Sequence, residues 1–148
     1  MTRHWLLLTL LSTLHYFATA QTKKAPPPFN PTGTYKMRNG DGNAGTAKIK
    51  LIASHKIVFS LSVITGAPRY HSGDMMDNIS FQDHRALYHH CETDTSCRIS
   101  FLFTSEGLKI TQTQADLNSG CGFGQAVFAD GFYRKVSAKT PRIVDPFE

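Results

Sequence analysis

The sequence predicts an all-β fold: an antiparallel barrel of about eight strands, stapled by one disulfide and preceded by a signal peptide. Three observations carry this. Apolar and polar residues alternate with the period of two that a strand imposes, as in Ala47, Ile49, Leu51 followed by Ile57, Phe59, Leu61, Val63. Gly, Asn and Asp clusters interrupt the alternation at short intervals, and no helical periodicity follows residue 20. The two ends also match. Gly33-Thr34-Tyr35 opens the domain and Gly131-Phe132-Tyr133-Arg134-Lys135 closes it. A small residue beside an aromatic lets two strand ends approach, and Arg134 or Lys135 can lie over Tyr35. Pairing the first strand with the last removes both sheet edges.

Residues 1–20 read as a signal peptide. Arg3 and His4 precede an apolar stretch, Leu6 to Phe17, and Ala18-Thr19-Ala20 is a cleavage site. The stretch is too short to span a bilayer. Removing these 20 residues from the 148 leaves 128, enough for one core. Without Arg3, 15 Lys and Arg face 11 Asp and Glu, a net +4. That surplus favours contact with anionic surfaces. Its residues are scattered along the chain, unlike the dense stripe of a nucleic-acid binder.

Residues 21–31 form a Pro-rich linker, Ala25-Pro-Pro-Pro28 favouring extended polyproline II. The barrel domain spans 32–137. Gly33 to Met37 is the first strand. Asn39-Gly-Asp-Gly-Asn43 is a turn, and it lacks the full ligand spacing of a calcium loop. Residues 46–53 and 57–64 form a hairpin about Ser54-His55-Lys56. Arg69 to Asp77 reads as an irregular loop, with two alternatives: a partner-binding loop, or one whose Met75 and Met76 plug the barrel end. Its Tyr70, His71, Asp74 and Met75 form a candidate partner-binding set. Asn78-Ile79-Ser80 is a glycosylation sequon. Ile79 and Phe81, then Ala86 and Tyr88, mark two strands about Gln82–Arg85.

His89-His90-Cys91 offers metal-ligating and nucleophilic side chains. Neighbours on a strand point to opposite faces, so the two histidines are poorly placed to share one ion, and no partner motif accompanies them. No metal or cofactor is expected, and no catalytic residue is assigned. Ile99, Phe101, Phe103 and then Leu108, Ile110 form a second hairpin across Thr104–Gly107. Gly120, Gly122 and Gly124 alternate with Cys121 and Phe123. No Gly-Lys-Ser/Thr follows, so a bent or bulged strand is expected rather than a phosphate cradle. Asp130-Gly131 reads as a hairpin turn or a bulge. Residues 138–148 form a flexible tail.

Cys91, Cys97 and Cys121 permit one bridge in an oxidising compartment. Cys97–Cys121 is favoured, because it ties two neighbouring elements across 24 positions. Cys91–Cys97 is the competing pair, across Glu92–Ser96.

The pattern Gly33-Thr-Tyr, Cys97-x-Ile-x-Phe-x-Phe, Ile110-Thr-Gln, Cys121-Gly-Phe-Gly, Ala129-Asp-Gly-x-Tyr133 resembles small exported bacterial barrel domains close to lysozyme-inhibitor-like proteins. The resemblance covers Gly33 to Val136. It implies the Cys97–Cys121 bridge, makes Gly122, Phe123 and Gly124 a structural signature, and carries over no active site. The opening Gly-Thr-Tyr and late Tyr-Arg-Lys are also similar to lipocalin-like barrels. The expected function is an exported, non-enzymatic binding domain of the bacterial envelope, periplasmic or secreted, monomeric, with an inhibitor-like protein-binding module as its specific form. A basic partner such as lysozyme would need a local acidic patch, Asp74/Asp77 or Glu92/Asp94. The alternative is a carrier of a small apolar ligand in a lumen lined by Phe59, Leu61, Phe101 and Ile110.

Overall fold

The computed structural model describes residues 29–89, 95–115, 120–124 and 126–144. Eight antiparallel strands close into a barrel in simple up-and-down order. They are β1 (Gly33–Arg38), β2 (Ala44–Ala53), β3 (Lys56–Ile64), β4 (Ser72–Gln82), β5 (Arg85–His89), β6 (Arg98–Phe103), β7 (Gly107–Thr113) and β8 (Gly131–Ser137). Alternation decides which side chains fill the barrel. Ile57, Phe59, Leu61 and Val63 point inward from β3 at 0–1% exposure, while Val58, Ser60 and Ser62 point out. Inward rings pack tilted or edge-on: Phe59 lies 5.0 Å from Phe101 and 5.8 Å from Tyr88, centroid to centroid. An apolar interior with a Lys-, Ser- and Thr-bearing exterior is the reverse of a lipid-spanning barrel. Among the described residues, no helix is long and apolar enough to cross a membrane.

Closure follows the matched ends. Tyr35 sits opposite Lys135, and the Lys135 ammonium lies 5.4 Å from the Tyr35 ring centroid. Tyr35 Oη donates to the Pro31 carbonyl at 2.6 Å, and Tyr133 Oη to that of Ala129 at 2.9 Å. A side chain on Gly33 would strike the Ser137 carbonyl across the seam. Gly45 faces Tyr133 so closely that a Cβ would stand 2.6 Å from the phenol. At the end where β1 begins, Phe29 stacks on His84, centroids 4.2 Å apart, and leans on Phe81 and Phe103. The stretch read as linker therefore meets the barrel at Phe29–Pro31. Beyond β8, Pro141–Val144 lie along the outer wall beside Lys50, Val58 and Met76.

Cys97 and Cys121 are bonded, their Cα atoms 5.4 Å apart. The bridge pins the long β7–β8 connection over the other barrel end. Gln112 pins it a second time. Its Oε1 accepts the Ala129 amide at 2.9 Å, and its Nε2 donates to Gln114 Oε1 at 2.7 Å and to the Val127 carbonyl at 3.4 Å.

Three local expectations are corrected. Gly120–Gly122 is a tight left-handed turn, not a bent strand, because Cys121, Gly122 and Gly124 all take positive φ (55°, 88° and 98°), which no pleated strand accommodates. Asp130-Gly131 is neither hairpin turn nor bulge. Gly131 starts β8, and the Asp130 carboxylate accepts the Gln112 amide at 3.0 Å, standing in for a ladder partner. Arg69–Asp77 is not all loop. β4 begins at Ser72 and pairs with β3 without interruption from Ser72 to Ser80. Met75 and Met76 plug no barrel end; they sit within β4, Met75 packing against the core and Met76 lying in the outer-wall groove with Pro141–Val144.

Candidate functional site

The barrel wall is least complete between β4 and β5. β5 pairs with β4 only through Phe81–Ala86 and Gln82–Arg85, while its other side pairs with β6 along all five residues. β4 therefore carries an edge from Ser72 to Ser80 with no strand paired to it among the described residues. The Phe81 amide donates to His55, on the β3 side. By alternation, the main-chain groups of Asp74, Met76, Asn78 and Ser80 face away from β3, into the opening. One of these is capped locally: the Asn78 amide donates to Asp77 Oδ1 at 2.6 Å. Asp77 has the strand parity of inward residues, yet it is exposed. A charge at an inward position on an open edge discourages uncontrolled strand pairing.

Beside this edge lies an open groove of about 500 Å³. Ser80 and Gln82 line it from β4, with Leu87 and Leu102 as apolar residues and Arg85 and Lys109 as cations. Register explains the order: Arg85, Leu102 and Lys109 are successive partners across β5, β6 and β7. Leu87 is 55% exposed.

The four residues singled out from sequence do not form one face. Tyr70, 72% exposed with φ 49°, projects from the β3–β4 loop. His71 is held through its main chain, its amide donating to Thr65 Oγ1 at 2.9 Å and its carbonyl accepting from the Thr65 amide at 2.8 Å. Asp74 is exposed on β4 and accepts a hydrogen bond from Ser62 Oγ. Met75, next along the strand, turns inward against the core. Asp74 and Asp77 do share β4, whereas Glu92 and Asp94 lie outside the described residues, as do His90 and Cys91. His89 ends β5, with Nε2 2.9 Å from the Thr95 carbonyl. Among the described residues, no three His, Cys, Asp or Glu side chains cluster as metal ligands.

The residues assigned structural roles sit at closures. Gly33, Tyr35, Tyr133 and Arg134 line the β1–β8 seam, and Gly131 opens β8 against Met37. Phe123 is buried, packed where β4 has Gly73. Sequence reading missed the groove residues Arg85, Leu87, Leu102 and Lys109. Their one signal is an apolar residue on the polar side of the alternation, at Leu87 and Leu102.

No protein-family model, no curated protein and no solved structure matches the chain.

Proposed function

We propose that the chain is a non-enzymatic binding domain acting outside the cytoplasm, and that its partner is a basic protein received along β4. One observation carries this. Both carboxylates borne by strands, Asp74 and Asp77, lie on β4, which from Ser72 to Ser80 has no strand paired to its side away from β3 among the described residues. An extended segment laid there gains main-chain hydrogen bonds from alternate β4 residues, and the two carboxylates select for positive charge. The groove continues past Ser80 and offers Leu87 and Leu102 to an apolar side chain of the same segment.

The alternative, carriage of a small apolar ligand, draws less support from the interior. Phe59, Leu61, Phe101 and Ile110 are 0–1% exposed, so no water-sized void reaches them.

Lysozyme, a basic envelope-directed hydrolase, is the first partner to test. Turnover of cell-wall substrate is measured with the domain in increasing molar excess. Inhibition is expected, and Asp74→Lys with Asp77→Lys abolishes it. Unchanged turnover at high excess removes the inhibitor form of the proposal. For any other basic partner, slowed amide exchange at residues 74–80 on binding is the expected footprint, and protection elsewhere would sink the β4 assignment.

A further inference from the structure

The strands distribute charge unequally. Ten cations lie on β1, β2, β3, β5, β6, β7 and β8, and none of these seven strands carries a carboxylate. In a ring of eight strands, β8 lies four steps from β4 in either direction. Five of the ten, Lys36, Arg38, Lys109, Arg134 and Lys135, lie on β7, β8 and β1, the wall opposite β4.

We propose that the outer wall of β7, β8 and β1 docks on an anionic lipid bilayer. Along β8, Phe132, Arg134 and Val136 all point outward, so an aromatic, a cation and an aliphatic succeed one another on one line. Phe132 is 38% and Val136 56% exposed. The Phe132 ring lies across Gly107 of β7, and the Arg134 guanidinium stands 6.0 Å from its centroid. Arg134 faces Lys36 directly across the closing seam, and Lys109 faces Phe132 from the other side. Like charges placed opposite each other oppose strand pairing. Among the described residues, neither Lys36 nor Arg134 forms an ion pair with a carboxylate.

The chemistry selects the occupant. A cationic wall without carboxylates calls for an anionic surface. A soluble polyanion would engage the cations and leave Phe132 and Val136 in water. A second copy of the same wall would bring cations against cations. A bilayer with anionic headgroups uses both sets: Lys and Arg side chains reach phosphates while Phe132 and Val136 enter the headgroup boundary.

The test is vesicle co-sedimentation. The full chain is expressed and used as the cell processes it, with its N-terminus read by mass spectrometry. Vesicles contain phosphatidylcholine alone or mixed with phosphatidylglycerol. Binding is expected on the anionic vesicles only, weakening as salt rises. Lys36→Gln with Arg134→Gln lowers partition about 30-fold. Phe132→Ser lowers it about tenfold while leaving affinity for inorganic polyphosphate unchanged. Asp74→Ser with Asp77→Ser, on the opposite wall, has no effect, which separates this face from the β4 site. Equal binding to both vesicle types overturns the proposal, as does an undiminished partition of the Lys36/Arg134 variant with its fold intact by circular dichroism. A Phe132→Ser protein that binds anionic vesicles as well as the parent would make the wall a general polyanion site and overturn it too.

Discussion

Replacing Gln112 with Leu tests whether a side-chain clamp or the disulfide holds the β7–β8 connection. Gln112 is 7% exposed, and its amide makes three hydrogen bonds, to Ala129, Gln114 and Val127. Leu has similar volume, so no large cavity is created. The loss is polar. Ala129 is fully buried, and its amide would be left without an acceptor, at about 1–3 kcal/mol. The Val127 carbonyl adds a further fraction of a kcal/mol, since its bond at 3.4 Å is long. Gln112→Leu is expected to cost about 1–4 kcal/mol in all, or about 4–15 °C in Tm for a chain of this size. Urea unfolding followed by circular dichroism reads it as a lower midpoint at unchanged slope. Gln114→Leu is the control. Among the described residues Gln114 Nε2 is buried without a partner, so removing that amide offsets the bond it gives up, and the cost stays below about 1 kcal/mol. If Gln112→Leu costs less than about 0.5 kcal/mol, the clamp is idle and the bridge alone holds the connection.

Three further outcomes are expected. Cys97→Ala with Cys121→Ala costs about 3 kcal/mol on the loop-entropy account, and a reductant lowers the urea midpoint of the parent protein equally. Asp77→Val frees the Asn78 amide on the open β4 edge, so light scattering detects concentration-dependent association that the parent lacks. Burial pushes the Tyr35 phenol up to about 12, and burial with the Asp130 carboxylate raises that of Tyr133 as well. A raised phenol pKa favours the folded state only while the phenol stays protonated. Stability is therefore full below about pH 10, the range where an unfolded tyrosine titrates, and falls as pH climbs toward the folded value. Urea midpoints measured between pH 8 and 12 give the profile, and Tyr35→Phe flattens part of the decline.

Most of the fold was legible because the barrel is built from alternation. β2, β3, β6 and β7 carry uninterrupted inward sets, and the Tyr35–Lys135 contact followed from the resemblance between the two chain ends. β4 was harder. Gly73 fills an inward position without a side chain, and Asp77 fills another with a charge, so the period of two fades where the edge opens. The Gly120–Gly124 turn was misread because alternating glycines look alike in a bulged strand and in a chain of positive-φ residues, and only the backbone separates them. Asp130 looked like turn chemistry because its partner, the Gln112 amide, lies 18 residues away. The open edge, the groove and the cationic wall depend on strand order and register. Arg85 and Lys109, or Lys36 and Arg134, are distant in sequence and meet only when the sheet closes.

Charge placement is what fold stability alone does not explain. Barrel closure is satisfied by the Tyr35 and Tyr133 hydrogen bonds, the glycines at the seam and the filled interior. None of these requires Lys36 opposite Arg134, and a Lys–Glu pair there would strengthen the seam. Nor does closure require that β4 alone bear carboxylates. Solubility would be served by mixed signs on every strand. Confining the strand carboxylates to β4, with half of the strand cations on β7, β8 and β1 opposite, gives the domain an orientation in any field with a direction. An anionic bilayer is such a field. A domain resting on it through β8 turns β4 toward the aqueous side, where the open edge and its two carboxylates face an approaching cationic protein. The two proposals then make a joint demand: bound to anionic vesicles, the chain must still protect residues 74–80 when its partner is added.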